Sequence, residues 1–127
     1  MSRSWSPLAV VEAPSDPEAL RNVTGLLERM VAAYGARSVA RMLDVNAAMI
    51  TRWRAGKPIS APMARRVIDL HDVLTRALQA FAPAVVAQWL VGSEPFLGGA
   101  RPIDVLVTQG VVPVIEALAA IEDGAYV

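Results

Sequence analysis

Residues 39–56, VARMLDVNAAMITRWRAG, admit few arrangements other than two short helices meeting at a tight corner. Val39, Ala40 and Leu43 stand three and four apart and so share one helical face. Ala40 is small where a second helix must cross closely. Asp44 falls at the corner, a place usually given to glycine, and Asp tolerates the left-handed conformation better than most residues. Val45 then plugs the angle between the helices. Asn46 can N-cap the second helix through its side-chain oxygen. Ile50 and Trp53 turn that helix's apolar edge inward, and Gly56 ends it.

The outer face of the second helix is left with Ala47, Ala48, Thr51, Arg52 and Ala55. A helix presented this way by a crossing partner has the geometry that enters the DNA major groove. The plainer alternative is a helical hairpin inside an all-α core. In spacing and character, residues 39–56 followed by Lys57 resemble the Xre/Cro-type helix-turn-helix, with Asp44 in the place of the usual glycine. On that resemblance the site would be built from Arg37, Ser38, Asn46, Ala47, Ala48, Thr51, Arg52, Arg54 and Lys57. Arg37 and Ser38 open the preceding helix, where backbone N–H groups and a basic side chain can clamp a phosphate. Arg52, Arg54 and Lys57 are further phosphate candidates. Arg52 or Thr51 can reach a base edge, whereas Ala47 and Ala48 can only touch thymine methyls. Such a face implies modest sequence discrimination, with backbone contacts and DNA shape supplying much of the affinity. One copy makes a small footprint, so a symmetric dimer on operator DNA is expected. The competing reading of the arginines is that they merely solvate the helix.

Charge is distributed to match. The formal net charge of zero conceals two unlike halves. Residues 29–66 carry Arg29, Arg37, Arg41, Arg52, Arg54, Lys57, Arg65 and Arg66 against Asp44 alone, a local balance of +7. Residues 67–127 carry Arg76 and Arg101 against Asp69, Asp72, Glu94, Asp104, Glu116, Glu122 and Asp123, a balance of −5. The basic block coincides with the corner, as a phosphate-binding surface requires. The acidic half suits a different partner.

Three segments follow: a flexible lead-in over residues 1–15, a helix-turn-helix DNA-binding unit over 16–66, and a second helical unit over 67–127. The lead-in holds Pro7, Pro14, several serines and an isolated Trp5, read as a loosely held tail residue. Asp16-Pro17-Glu18 is a helix start, with an acidic cap and proline at the first helical position. Leu20, Val23, Leu27, Met30 and Val31 recur at helical spacing to Tyr34, and Gly35 stops the helix. Gly25 weakens it slightly. Ser60 can cap a long helix, with Pro62 in its first turn, that runs to about Phe81 and joins the halves. Its stripe is Met63, Val67, Leu70, Leu74, Ala77, Leu78 and Phe81. His71, the only histidine, is expected on the helix surface or at a contact with a second copy.

Pro83 starts a further helix through Val85, Val86, Trp89 and Leu90, closed by Gly92. Pro102 fits the first position of a short helix with Ile103, Leu106 and Val107 facing in, and Gly110 breaks it. Val111, Val114, Ile115, Leu118 and Ile121 line a last helix, with Pro113 tolerable only in its first turn. Gly124 caps it.

Trp89-Leu90, then Leu97-Gly98-Gly99, residues 101–106 (RPIDVL), Gly110 and the final Val/Leu helix resemble the C-terminal domain of Xre/MbcA/ParS-type antitoxins. With the corner, the resemblance covers about residues 20–127, and it implies that the unit over 67–127 is a toxin-binding and dimerisation domain with a C-terminal tail. Trp89, Leu97 and Leu106 in it are expected to be core. The resemblance implies a RES-domain toxin that destroys NAD as partner, a homodimer of this chain within a larger toxin–antitoxin hetero-oligomer, and a C-terminal tail lying in the toxin's NAD pocket. The toxin-binding residues would then be Glu122, Asp123, Gly124, Ala125, Tyr126 and Val127. Tyr126 offers a flat apolar ring with a polar tip, and the carboxylate of Val127 suits an arginine that otherwise meets a substrate phosphate. A frayed terminus without a role is the alternative.

Other classes are weaker. A stand-alone helix-turn-helix regulator with a ligand- or partner-sensing C-terminal half would share the same front end. The chain has no cysteine, so structural disulfides and thiolate metal sites are excluded. His71 is solitary, and Gly98-Gly99 lies between helices rather than after a strand, so neither a catalytic constellation nor a phosphate loop is in sight. No enzymatic activity, cofactor or metal is expected. No apolar run approaches the roughly 18–20 residues that span a bilayer, and no signal-peptide pattern opens the chain. A cytoplasmic, all-α protein with no membrane partner is therefore expected.

Overall fold

The computed structural model describes residues 17–124. Residues 1–15 with Trp5, the Asp16 cap, and Ala125, Tyr126 and Val127 lie outside the described residues. Within them the architecture is all-α: α1 (Pro17–Tyr34), α2 (Ala36–Leu43), α3 (Ala47–Arg54), α4 (Ala61–Ala77), α5 (Pro83–Val91), α6 (Pro102–Gln109) and α7 (Val111–Glu122). A single 3-10 turn, Pro95–Leu97, interrupts the link from α5 to α6. No strand occurs among the described residues, and none of their helices is long and apolar enough to cross a membrane.

α1 opens at Pro17, whose fixed φ suits the first helical position. It buries Val23, Leu26, Leu27 and Met30, a run at i, i+3, i+4 and i+7, against α4. Gly35 is at once the stop of α1 and the N-cap of α2, at φ +86°. A side chain there would be strained, which is why one residue suffices to join the two helices. Asp44 takes the left-handed conformation at φ 59°, ψ 46°, and its N–H bonds back onto the last turn of α2. The Asn46 side chain accepts the Met49 N–H at 2.9 Å. Val45 is half-buried in the angle, and Arg66 of α4 braces the corner by donating to the Leu43 carbonyl at 3.3 Å.

α4 is the axle. The Ser60 hydroxyl caps it, accepting the Met63 N–H at 3.3 Å. From Val67 onward it is buried almost all round, because α1 and α2 pack on one side and α6 and α7 on the other. That enclosure corrects the expectation for His71, which is not a surface residue but fully buried. A helix wrapped on several sides has no solvent face at such a position. The helix also ends earlier than expected, at Ala77 rather than near Phe81. Ala82 must be extended ahead of Pro83, so the chain leaves the helix through short i→i−3 bonds.

α5 buries Val86 and Leu90, and α7 buries Val114, Ala117 and Leu118. α6 starts at Pro102 and buries Ile103, Val105 and Leu106. Val107, expected inward, is 47% exposed, and Val105 takes its place. The buried arc of this two-turn helix is centred on Ile103 and Leu106. Val107 falls on its flank, over a shallow surface groove shared with Met42 and Arg66. Gly110, at φ +85°, joins α6 to α7 as Gly35 joins α1 to α2. Buried residues from α1 through α7 form one continuous cluster, and the boundary expected at residue 66 falls inside α4.

Candidate functional site

The corner sets the aspect of α3. Ile50 and Trp53 are buried, which rotates Ala47, Ala48, Thr51, Arg52 and Ala55 into solvent. The Thr51 hydroxyl turns back to the Ala47 carbonyl at 3.4 Å. The Asn46 carboxamide oxygen is committed to its cap, leaving its NH2 group as the outward donor. Arg37 is exposed and Ser38 half-buried at the second and third positions of α2, and the Gly35 N-cap supplies no side-chain acceptor for that helix start. Lys57 is exposed just past α3, its backbone N–H bonded to the Arg52 carbonyl at 2.9 Å. Among the described residues no carboxylate pairs with Arg37, Arg52 or Lys57.

Arg54 differs. Its guanidinium bonds the Glu28 carboxylate of α1 at 3.0 Å, which raises its pKa further and partly cancels its charge. The basic block counted from residue 29 stops one residue short of this acid. Arg66 is likewise engaged, on the Leu43 carbonyl. The cations left facing water around α3 are therefore Arg37, Arg41, Arg52 and Lys57.

At the other end, Glu122 closes α7, Asp123 caps it and Gly124 follows at φ +79°, all three exposed. The remaining tail positions, Ala125, Tyr126 and Val127, lie beyond the described residues. Trp89 and Leu97 are half-buried against the core and Leu106 is buried.

The residue that organises this half was not anticipated. Glu94 is 1% exposed, and its carboxylate accepts the Trp89 indole N–H at 2.6 Å and the Phe96 backbone N–H at 2.8 Å. Its backbone closes the same loop, donating to the Ala100 carbonyl and accepting from Leu97 and Gly99. Ser93 adds a bond to the Gly99 carbonyl at 2.9 Å. The signal was present in the sequence: an acid immediately before proline, the pattern read as a cap at Asp16-Pro17, recurs at Glu94-Pro95. Downstream, Arg101 makes a two-pronged pair with Asp104 at 2.9 and 3.0 Å and also feels the charge of Asp44 at the corner. That pairing holds the Asp104 carboxyl below its ordinary range.

Burial dominates the remaining titrations. It lowers the His71 pKa to about 4, with the Arg29 charge adding to the effect. It raises Tyr34 to about 12 and lifts Asp69, against the pull of Arg65. Among the described residues no three His, Asp or Glu side chains gather closely enough to hold a metal ion.

Comparison with known proteins gives one informative relative. The chain is 32% identical over 89 residues to a Mycobacterium tuberculosis protein named probable mycobacterial cidal antitoxin Rv3188, covering 70% of this chain and 76% of that one. No protein-family model matches the chain, and no solved structure does.

Proposed function

This chain belongs to the mycobacterial cidal antitoxin family, and from that premise we propose that it blocks a RES-domain, NAD-degrading toxin with the tail that follows α7 and represses its own operon through α3. An antitoxin has a cognate toxin for a partner. The observation that carries the reading is the antitoxin likeness, which extends over most of the chain. The motif at Trp89, Leu97-Gly98-Gly99 and residues 101–106, which resembles Xre/MbcA/ParS-type antitoxins, supports the finer assignment to a RES partner.

Blocking a substrate pocket asks for no chemistry from this chain. It asks for a ring to fill an apolar or stacking subsite and for polar atoms to occupy anion-binding groups. Tyr126 supplies the ring. Glu122, Asp123, Gly124, Ala125 and Val127 complete the segment, which follows directly from the end of α7. The test is deletion of residues 125–127. Mixed with the toxin, the shortened chain should leave NAD to be consumed while its own melting curve stays that of the full chain. Complete protection of NAD by the shortened chain would contradict the proposal.

The nucleic-acid role is supported by Arg37, Arg41, Arg52 and Lys57, exposed on and around α3 beside the small outward side chains of Ala47, Ala48 and Thr51. Each phosphate contact releases counterions, so affinity should fall steeply as salt rises. Replacing Arg37 and Arg52 together by Ala should weaken operator binding and flatten the salt slope by about one per lost contact. An unchanged slope would remove this surface from the account. The protein would act as a dimer on DNA and within a toxin–antitoxin hetero-oligomer.

A further inference from the structure

Arg54 closes α3, four residues after the buried Ile50 and seven after the exposed Ala47. That spacing sets it on the flank of the helix, between its buried edge and its outer face. α1 packs alongside, and the Glu28 carboxylate of α1 accepts the Arg54 Nε–H at 3.0 Å. The two side chains are 43% and 45% exposed. Only Nε is committed, and among the described residues no bond engages the two Nη groups. Arg54 also lines an open depression of about 330 Å³ that it shares with Thr24, Trp53, Gly56 and Lys57. Lys57 is exposed and forms no ion pair among the described residues. The depression thus gathers a guanidinium, an ammonium and a hydroxyl, the donor types that a nucleic-acid backbone takes, with one carboxylate set against them.

From this we infer that Glu28 is an internal competitor for the DNA backbone: its carboxylate occupies the Arg54 guanidinium in the free protein, and a phosphate must displace it to take that arginine. The inference rests on the nucleic-acid reading given above and concerns how strongly that surface binds. Carboxylate and phosphate offer a guanidinium the same kind of paired oxygen edge, so they are alternatives at one site. The exchange is open to either, because an ion pair half in water is held only weakly. Glu28 also brings a negative charge to the flank of a surface that otherwise presents Arg37, Arg41, Arg52 and Lys57. Removing its charge should therefore release Arg54 as a further phosphate contact beside Lys57. A phosphate carries no sequence information, so the gain should fall alike on every duplex.

The experiment titrates the full chain, by fluorescence anisotropy over a range of salt, against two labelled duplexes: one from upstream of its own reading frame and one with that sequence scrambled. The chains are the parent, Glu28→Gln, Glu28→Ala, Arg54→Gln, Glu28→Gln combined with Arg54→Gln, and Arg37→Ala combined with Arg52→Ala. The ion pair is half in water, so the Glu28 and Arg54 variants should keep the parent's melting temperature. Glu28→Gln and Glu28→Ala should each tighten binding to both duplexes by about three- to tenfold and steepen the salt slope by about one per bound copy. With Arg54→Gln in place, Glu28→Gln should gain at most about twofold, the remnant of a screened general charge. Unchanged or weaker binding by both Glu28 variants overturns the inference, because Glu28 would then be idle or would hold Arg54 ready for the phosphate. So does an undiminished gain in the Arg54→Gln background, and so does a gain confined to one duplex. The Arg37 and Arg52 double variant reads the parent surface separately. If it binds as the parent does, or if the parent binds neither duplex, the nucleic-acid reading falls and this inference with it. If it binds more weakly while Glu28→Gln stays parent-like, this inference alone falls.

Discussion

The two ends of this molecule solve opposite surface problems. Around α2 and α3 the large apolar residues are inside, and the exposed positions are small, polar or charged. In the rear, from α5 onward, valine and phenylalanine stand on both sides of the helices. All the large apolar side chains left exposed among the described residues, Val85, Phe96, Val107 and Val112, belong to that rear part. Scattered exposed apolar residues are ordinary, but their confinement to one end is informative. A surface written in charges attracts at a distance and tolerates water, as a nucleic-acid partner requires. A surface written in valines gains free energy only when something covers it. One small core thus carries two surfaces of different physical kinds, because a single helix, α4, packs under both.

Each end can be perturbed while the response of the other is measured. The largest effect is expected in the rear loop. Glu94→Ala would strand the Trp89 indole N–H and the Phe96 N–H, two donors to a buried carboxylate. At about 1.5–3 kcal/mol for each bond to a charged group, the loss is about 3–6 kcal/mol. Because the cluster of buried residues is continuous, thermal unfolding followed by far-UV circular dichroism should remain one transition, shifted down. Two separated transitions would show the ends to be independent and would break the comparison as drawn.

Acid tests the shared axle next. His71 titrates near pH 4 in the native state against an ordinary 6.5. Above pH 6.5 both states are neutral there and nothing is gained or lost. Below it the unfolded chain takes up a proton that the native chain refuses, so stability declines as pH falls toward 4. Between pH 7 and pH 5 the loss is about 2 kcal/mol, measurable as a lower urea midpoint. A flat profile across that window would mean that His71 is not buried as described.

The smallest effect lies at the front. Gly25 sits in helical conformation on the exposed side of α1, and a methyl group there meets no neighbour within 4 Å. Gly25→Ala should therefore stabilise the protein by about 0.5–1 kcal/mol through helix propensity alone. It should leave toxin binding and the proposed DNA binding as they are, and a destabilised variant would mean that this face of α1 is not free.

Legibility in the sequence followed the same divide. The corner could be read because each of its devices is local. Asp44 in the left-handed region, Asn46 and Ser60 as caps, and proline opening α1, α5 and α6 each depend on a few adjacent residues. His71 could not, since its burial depends on helices that arrive from both directions along the chain. Val85 and Val107 could not either. α5 and α6 are apolar nearly throughout, so periodicity does not say which valine faces in. The Glu28–Arg54 pair joins residues 26 apart, and no local pattern announces it. Glu94 was legible in principle, because acid followed by proline is a cap signal wherever it occurs.

The most direct test of the central claim is a crystal structure of the chain bound to its toxin. Tyr126 and Val127 are expected inside the NAD cavity proposed for the toxin, with the toxin surface covering the end of α7. Tyr126 and Val127 standing in solvent, remote from any cavity of the partner, would contradict it.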